Sequence, residues 1–241
     1  MNIIEKLKYK QANLVENSPV TIAFLGDSVT QGCFECYLTS PNTLQTVFDY
    51  GSAYSTRLKE ILHILYPSVQ INIINSGISG DSAPVGLQRM ERDILAYNPD
   101  LVVVSYGLND STKGADGLCE YEEALSQIFM CLQENGIETI FLTQNVMNGN
   151  VSPHLRDQLF IDLANGFAND IQNNGVLSRY FEKAKETCVK YNVKVCDLHS
   201  VWKRLVDVGV DTTELLANKL NHPIREFHYY MAIKLIEIIL L

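Results

Sequence analysis

Five short apolar runs, separated by amphipathic helical patterns, constrain the fold of this 241-residue chain more than any other feature. They are Val20 to Leu25, Val69 to Asn75, Leu101 to Ser105, Ile137 to Thr143 and Val193 to Leu198. Each is rich in β-branched residues and lacks strict apolar–polar alternation, which is how a strand covered on both faces reads. Between them the spacing predicts helices over Tyr54 to Leu65, Pro84 to Tyr97, Tyr121 to Asn135 and Leu177 to Tyr191, with a closing helix from Arg225 to Leu240. In the second, Leu87, Met90, Ile94 and Leu95 form the apolar stripe, Ser82 caps the start and Asn98-Pro99 ends it. Strand–helix alternation of this kind builds right-handed βαβ units, hence a parallel sheet with helices on both faces. No Pro/Gly/Ser-rich linker or shift in composition divides the chain, so residues 1–241 are expected to form a single domain.

A hydrophobic fraction of 46% supplies ample core material, and the formal net charge of −9 argues against nucleic acid or an anionic membrane surface as the main partner. The first residues lack the apolar stretch of an export signal, and no apolar run reaches membrane-spanning length; the expectation is a cytoplasmic protein. Six cysteines are too few for a disulfide framework in a chain this long. Cys33-Phe34-Glu35-Cys36 has C-x-x-C spacing, but no second pair completes a zinc set, and reduced structural thiols are the simpler reading. No metal is expected.

In a parallel sheet, the residues that follow each strand share one edge, and ligands bind there. Gly26-Asp27-Ser28 follows the first run, Gly77 the second, Gly107 and Asn109 the third, and Gln144 to Asn150 the fourth; the stretch after the fifth contains His222. Acyl transfer needs a nucleophile, a base and donors for an oxyanion. Ser28 would attack, His222 would take its proton, and the N–H groups of Ser28 and Gly77 with the Asn109 amide would hold the oxyanion. Asp27, at a helix start, is expected to be structural. His154 sits in the loop after the fourth run, where a cleft-lining role is the less favoured reading, while His63, His199 and His228 are read as packing or capping residues.

Gly26-Asp27-Ser28, Asn75-Ser76-Gly77-Ile78-Ser79-Gly80, Gly107-Leu108-Asn109-Asp110 and His222-Pro223 resemble, in order and spacing, the four sequence blocks of the SGNH (GDSL-type) hydrolases. The resemblance runs from Val20 to Met231 and includes Asn98-Pro99-Asp100 before the third strand. It implies a three-layer α/β/α fold with a flavodoxin-like five-stranded parallel sheet, no cofactor, and hydrolysis of esters, thioesters or acetylated sugars. It also implies Ser28 as nucleophile, His222 as general base and Gly77 with Asn109 in the oxyanion hole. The expected substrate is a small-molecule acyl ester, an acetylated carbohydrate among the candidates. The alternatives are an acyl thioesterase and a non-catalytic binding protein on the same scaffold; a flavin- or nucleotide-binding domain is disfavoured by the missing Gly-rich phosphate loop.

In one respect the chain departs from that family. An aspartate usually stands three residues before the histidine, and here that position is Lys219. Asn218 is the expected substitute, holding the imidazole N–H through its side-chain oxygen, with a backbone carbonyl as the alternative and Asp197 as a more distant one. A neutral partner orients the ring without stabilising its charged form, so a weaker base is expected. The long connection from Gln31 to Gly51 is a candidate lid or binding surface. The asparagine-rich loop from Asn145 to Asn150 has amides suited to sugar hydroxyls.

Overall fold

The computed structural model describes residues 1–40 and 43–241; Pro41 and Asn42, inside the Gln31 to Gly51 connection, lie outside the described residues. Five parallel strands form the central sheet: β1 (Val20–Gly26), β4 (Ile71–Gly77), β5 (Leu101–Ser105), β6 (Glu138–Leu142) and β7 (Lys194–Cys196), in the spatial order β4-β1-β5-β6-β7. The chain passes from β1 to β4 on one side and then crosses to β5 on the other. That reversal opens a crevice at the carboxyl end of β1, where Gly26 is in register with both Gly77 and Ser105.

The burial explains the sequence pattern. All five residues of β5 are buried, as its unbroken Leu-Val-Val-Val-Ser run demands. β4 lies at the sheet edge and can carry the exposed Asn72. Helices α3 (Tyr54–Leu65) and α9 (Arg225–Leu240) pack together, as do α4 (Ala83–Asp93), α5 (Leu118–Glu134) and α7 (Val176–Lys190), and these groups make the two helical layers of the α/β/α fold. Aromatic side chains knit layers to sheet: Phe24 of β1 meets Tyr54 of α3 edge-on at 5.5 Å, and Phe141 of β6 meets Phe129 of α5 at 6.0 Å.

The α/β class, the five strands and the helices over Tyr54–Leu65 and Arg225–Leu240 agree with the sequence reading. The expected fifth strand is shortened to three residues, because Asp197 instead caps α8 (Leu198–Asp207) by accepting from Ser200 N. An N-terminal helix, α1 (Ile3–Ala12), closed by an Asn2–Glu5 capping box, was not anticipated, nor was α6 (Gln158–Gly166), which runs on into a π-helical turn over Phe167–Gln172.

The Gln31 to Gly51 connection contains an antiparallel hairpin, β2 (Cys33–Ser40) and β3 (Thr43–Phe48), with its ladder interrupted between Cys33 and Cys36. Cys36 and Leu38 pack towards a small apolar cluster of Phe160, Ala164 and Leu220, while Tyr37, Leu44 and Phe48 are exposed. The C-x-x-C cysteines sit on this hairpin as free thiols, and no group of three or more metal-ligating side chains occurs among the described residues. No described helix is long and apolar enough to cross a membrane.

Candidate active site

β1 runs straight into the four-residue helix α2 (Ser28–Gln31), and the tightness of that junction dictates its residues. A Cβ on Gly26 would lie 2.1 Å from Thr30 Oγ1 and 2.8 Å from the Ser105 carbonyl, so only glycine fits. Asp27 caps α2, accepting from Val29 N at 3.0 Å, and Ser28 follows as the first helical residue. Its hydroxyl lies 3.0 Å from His222 Nε2, and His222 Nδ1 lies 2.9 Å from the backbone carbonyl of Phe34 on β2. A carbonyl can only accept, so Nδ1 carries the proton and Nε2 presents its lone pair to the Ser28 hydroxyl. Burial holds the imidazole below the ordinary histidine range, so it is neutral at neutral pH, as a proton acceptor must be.

Two sequence expectations are corrected here. Asn218 does not touch the imidazole. Its Oδ1 accepts the backbone N–H groups of Leu220, Asn221 and His222, each at 3.0 Å, because a short amide at the head of a turn reaches the following N–H groups before it reaches a ring. Asn218 thus shapes the loop that delivers His222, and the ring contact passes to the hairpin. Lys219 adopts φ of 59° and donates to Glu214, while Asp197 is engaged with Ser200, Lys185 and Thr143 at the start of α8.

Gly77 is the second correction. Its N–H donates to Asn75 Oδ1 at 3.0 Å, and a Cβ there would stand 2.2 Å from Gln31 N, so this glycine answers a packing demand beneath α2. Three residues on, Gly80 has φ of +80°, is exposed, and its N–H has no acceptor among the described residues. Its neighbours are pinned: Ser79 N donates to Gln31 Oε1 at 2.7 Å, and the Asp81 carbonyl accepts from Asn109 Nδ2 at 2.8 Å. The second glycine of Gly77-Ile78-Ser79-Gly80 was visible in the sequence, but which of the two keeps its N–H without an acceptor among the described residues is set by the bend after β4.

Buried carboxylates lie behind these donors. Asp27 accepts from Gln144 Nε2 at 2.8 Å and stands 3.5 Å from Asn109 Nδ2; burial nevertheless pushes its carboxyl up to about 7. Burial likewise raises Asp110 to about 6. Asp81 is paired with buried Arg89, whose Nη2 also donates to the Gly26 carbonyl at 3.1 Å and so ties α4 to the end of β1. Gln144 was read only as a loop residue, yet its Oε1 also accepts Leu108 N, which fixes the turn carrying Asn109. Of the other histidines, His228 is buried, depressed to about 3, and accepts from Tyr54 N; His199 is buried, depressed to about 4, and bonds Ser178. His154 is largely exposed and lies 3.8 Å from Glu214.

The pattern of the GDSL-like lipase/acylhydrolase family matches residues 24–228, which takes in Ser28, Asn109 and His222. This chain belongs to that family. Within it, an acetylxylan esterase of Geobacillus stearothermophilus is 27% identical over 144 residues, 56% of this chain and 64% of the relative's length. Among solved structures, an acetyl xylan esterase named AlAXEase is 20% identical with a TM-score of 0.66, covering 90% of this chain and 98% of that one. A variant of Axe2, an acetylxylan esterase from Geobacillus stearothermophilus, is 20% identical with a TM-score of 0.68, covering 92% and 94%. A two-domain esterase active on acetylated mannans is 19% identical with a TM-score of 0.65, covering 99% of this chain and 53% of that one. At these identities the structural likenesses establish the SGNH fold for this GDSL-family chain.

Proposed function

We propose that this chain is a serine esterase that removes small acyl groups through an acyl-enzyme on Ser28, with acetyl groups carried on saccharides as the substrate class. The observation that carries the reading is the chain of contacts from Ser28 Oγ to His222 Nε2 and from His222 Nδ1 to the Phe34 carbonyl. The acetyl class is supported by the relatives, whose names specify acetylated xylan and mannan. As Ser28 Oγ bonds to the acyl carbon, its proton passes to His222 Nε2 and the acyl oxygen becomes an oxyanion. The N–H groups of Ser28 and Gly80 and the Asn109 amide are the donors for that charge. Asn109 can exchange its long contact to Asp27 for the oxyanion while keeping the Asp81 carbonyl. His222 then protonates the departing alcohol, and water repeats the sequence in reverse to release the acid.

Each oxyanion donor is worth about 10²–10³ in turnover in such sites. A fluorophosphonate probe is expected to label the wild type and not Ser28→Ala, and the wild type is expected to release acetate from acetylated xylo-oligosaccharides. Equal labelling of both proteins would remove Ser28 from the reaction. Preferred hydrolysis of acyl thioesters would move the chain to thioesterases, and tight saccharide binding without hydrolysis would make it a binding protein.

A further inference from the structure

One guanidinium and two carboxylates meet at the foot of the hairpin, and Phe34, whose carbonyl holds His222, packs its ring against the guanidinium. Arg225, the first residue of α9, donates from Nη1 and Nη2 to the two oxygens of Glu35 at 2.6 and 3.1 Å, and from Nε to Asp49 at 2.9 Å. Its guanidinium carbon sits 4.2 Å from the centre of the Phe34 ring, which also packs on His228 at 4.7 Å. Asp49 N donates to the Gly32 carbonyl at 2.9 Å, so the two ends of the hairpin are tied together at this point. Phe34 and Glu35 fall within the interruption of the β2–β3 ladder, where a strand can bend away from its partner and turn a carbonyl to another use. Arg225 therefore grips the residue whose carbonyl holds the imidazole, the residue after it, and the end of the returning strand.

The charges also count. Two carboxylates and one guanidinium leave one net negative charge on the cluster, with Glu35 next to the carbonyl residue that holds His222, and the position where the family keeps its aspartate is occupied by a lysine. Glu35 and Asp49 are both held below the usual carboxylate range, chiefly by their hydrogen bonds to Arg225, so both are charged at neutral pH. The Glu35 charge favours the protonated form of His222, against the larger effect of burial.

We infer that Arg225 is a positioning residue and that Arg225, Glu35 and Asp49 together replace the missing acid of the triad. The clamp holds the Phe34 carbonyl against His222 Nδ1, and the net charge of the cluster supplies through space the field that a triad carboxylate supplies by contact. The inference rests on the reading of Ser28 and His222 as the hydrolytic pair.

The test uses the full chain, a p-nitrophenyl acetate assay and pH profiles of kcat/KM. The titratable or charged groups around His222 are Glu35 on β2, Asp49 after β3, Arg225 and His228 on α9, and Asp27 before Ser28; His228 stays neutral across the assayed range, and Asp27 is common to all variants. Glu35→Gln removes a negative charge, lowers the histidine pKa and should move the acid limb to lower pH. Arg225→Gln removes a positive charge and should move it to higher pH. Each shift should lie between a few tenths of a pH unit and about one. Arg225→Lys keeps the charge but loses the fork and the stacking on Phe34, so its limb should stay in place. All three should lower kcat about 10- to 100-fold, with KM changed less than about threefold, because orientation of the base is lost and substrate contacts are not.

Wild-type kcat in Arg225→Gln, or limbs that move the same way in the Glu35 and Arg225 variants, would overturn the inference. Should Arg225→Gln fail to fold, Glu35→Gln, which leaves Arg225 paired with Asp49, decides by the direction of its shift alone. Full activity in Ser28→Ala would instead overturn the underlying reading, which keeps the two failures distinct.

Discussion

Asn218 illustrates what a single side chain does when its neighbours compete for it. One amide oxygen accepts three successive backbone N–H groups, so the residue acts on the path of the chain and only through it on His222. Asn218→Ala should lower stability by about 1–2 kcal/mol and reduce kcat with it, since three donors lose their acceptor and the loop relaxes. Asn218→Asp keeps the oxygen and should recover most of both losses, measured by thermal unfolding alongside turnover. A kcat above wild type in the aspartate variant would mean that position 218 reaches the ring after all. That His222 matters could be argued from residue order alone. Its partner could not, because the acceptor is a backbone atom of Phe34, and every residue carries such an atom.

The turns after β1 and β4 pack together, and the two glycines of the second turn differ: Gly77 is packed against α2, while Gly80 is open. Gly77→Ala would drive a methyl group into the backbone of α2, which carries Ser28. The expected outcome is a loss of about 1–3 kcal/mol and a fall in kcat of tenfold or more from the displaced nucleophile. A methyl on Gly80 meets nothing within 4 Å, and only the left-handed backbone opposes it, at a cost of about 1–2 kcal/mol. Unfolding midpoints and kcat of the two variants check the contrast, and equal catalytic damage would argue against the packing role of Gly77. α3, with an amphipathic stripe, was legible to the residue, and the closing helix α9 nearly so. The β2–β3 hairpin was not, because its strands expose much of their length, alternate poorly and gain their partners only when the chain folds back onto Phe160, Ala164 and Leu220.

Across the whole molecule, Arg89 is the side chain that joins separate layers behind the site. It pairs with buried Asp81, contacts the Tyr106 hydroxyl at 3.0 Å and holds the Gly26 carbonyl at the end of β1. Arg89→Ala leaves the buried Asp81 without its cation, so urea unfolding should show a loss of about 3–5 kcal/mol. The double variant Asp81→Asn with Arg89→Met should recover part of that loss, because no unpaired charge then remains. If Arg89→Ala alone proves nearly neutral, the pair does not join the layers in the way its burial implies.

The sequence by itself determined the α/β class, the helices flanking the sheet and the presence of Ser28 and His222 on one edge. The class and the helices follow from periodicity and Ser28 from a strand end, all properties of neighbouring residues, while His222 follows from the order of four blocks that resemble those of the SGNH hydrolases. Tertiary structure alone decided which atom holds the imidazole, which glycine keeps an unpaired N–H among the described residues and where Glu35, Asp49 and Arg225 meet. Each depends on segments distant in the chain, Phe34 meeting His222 and Glu35 meeting Arg225, and such meetings are created by the hairpin packing over the crevice.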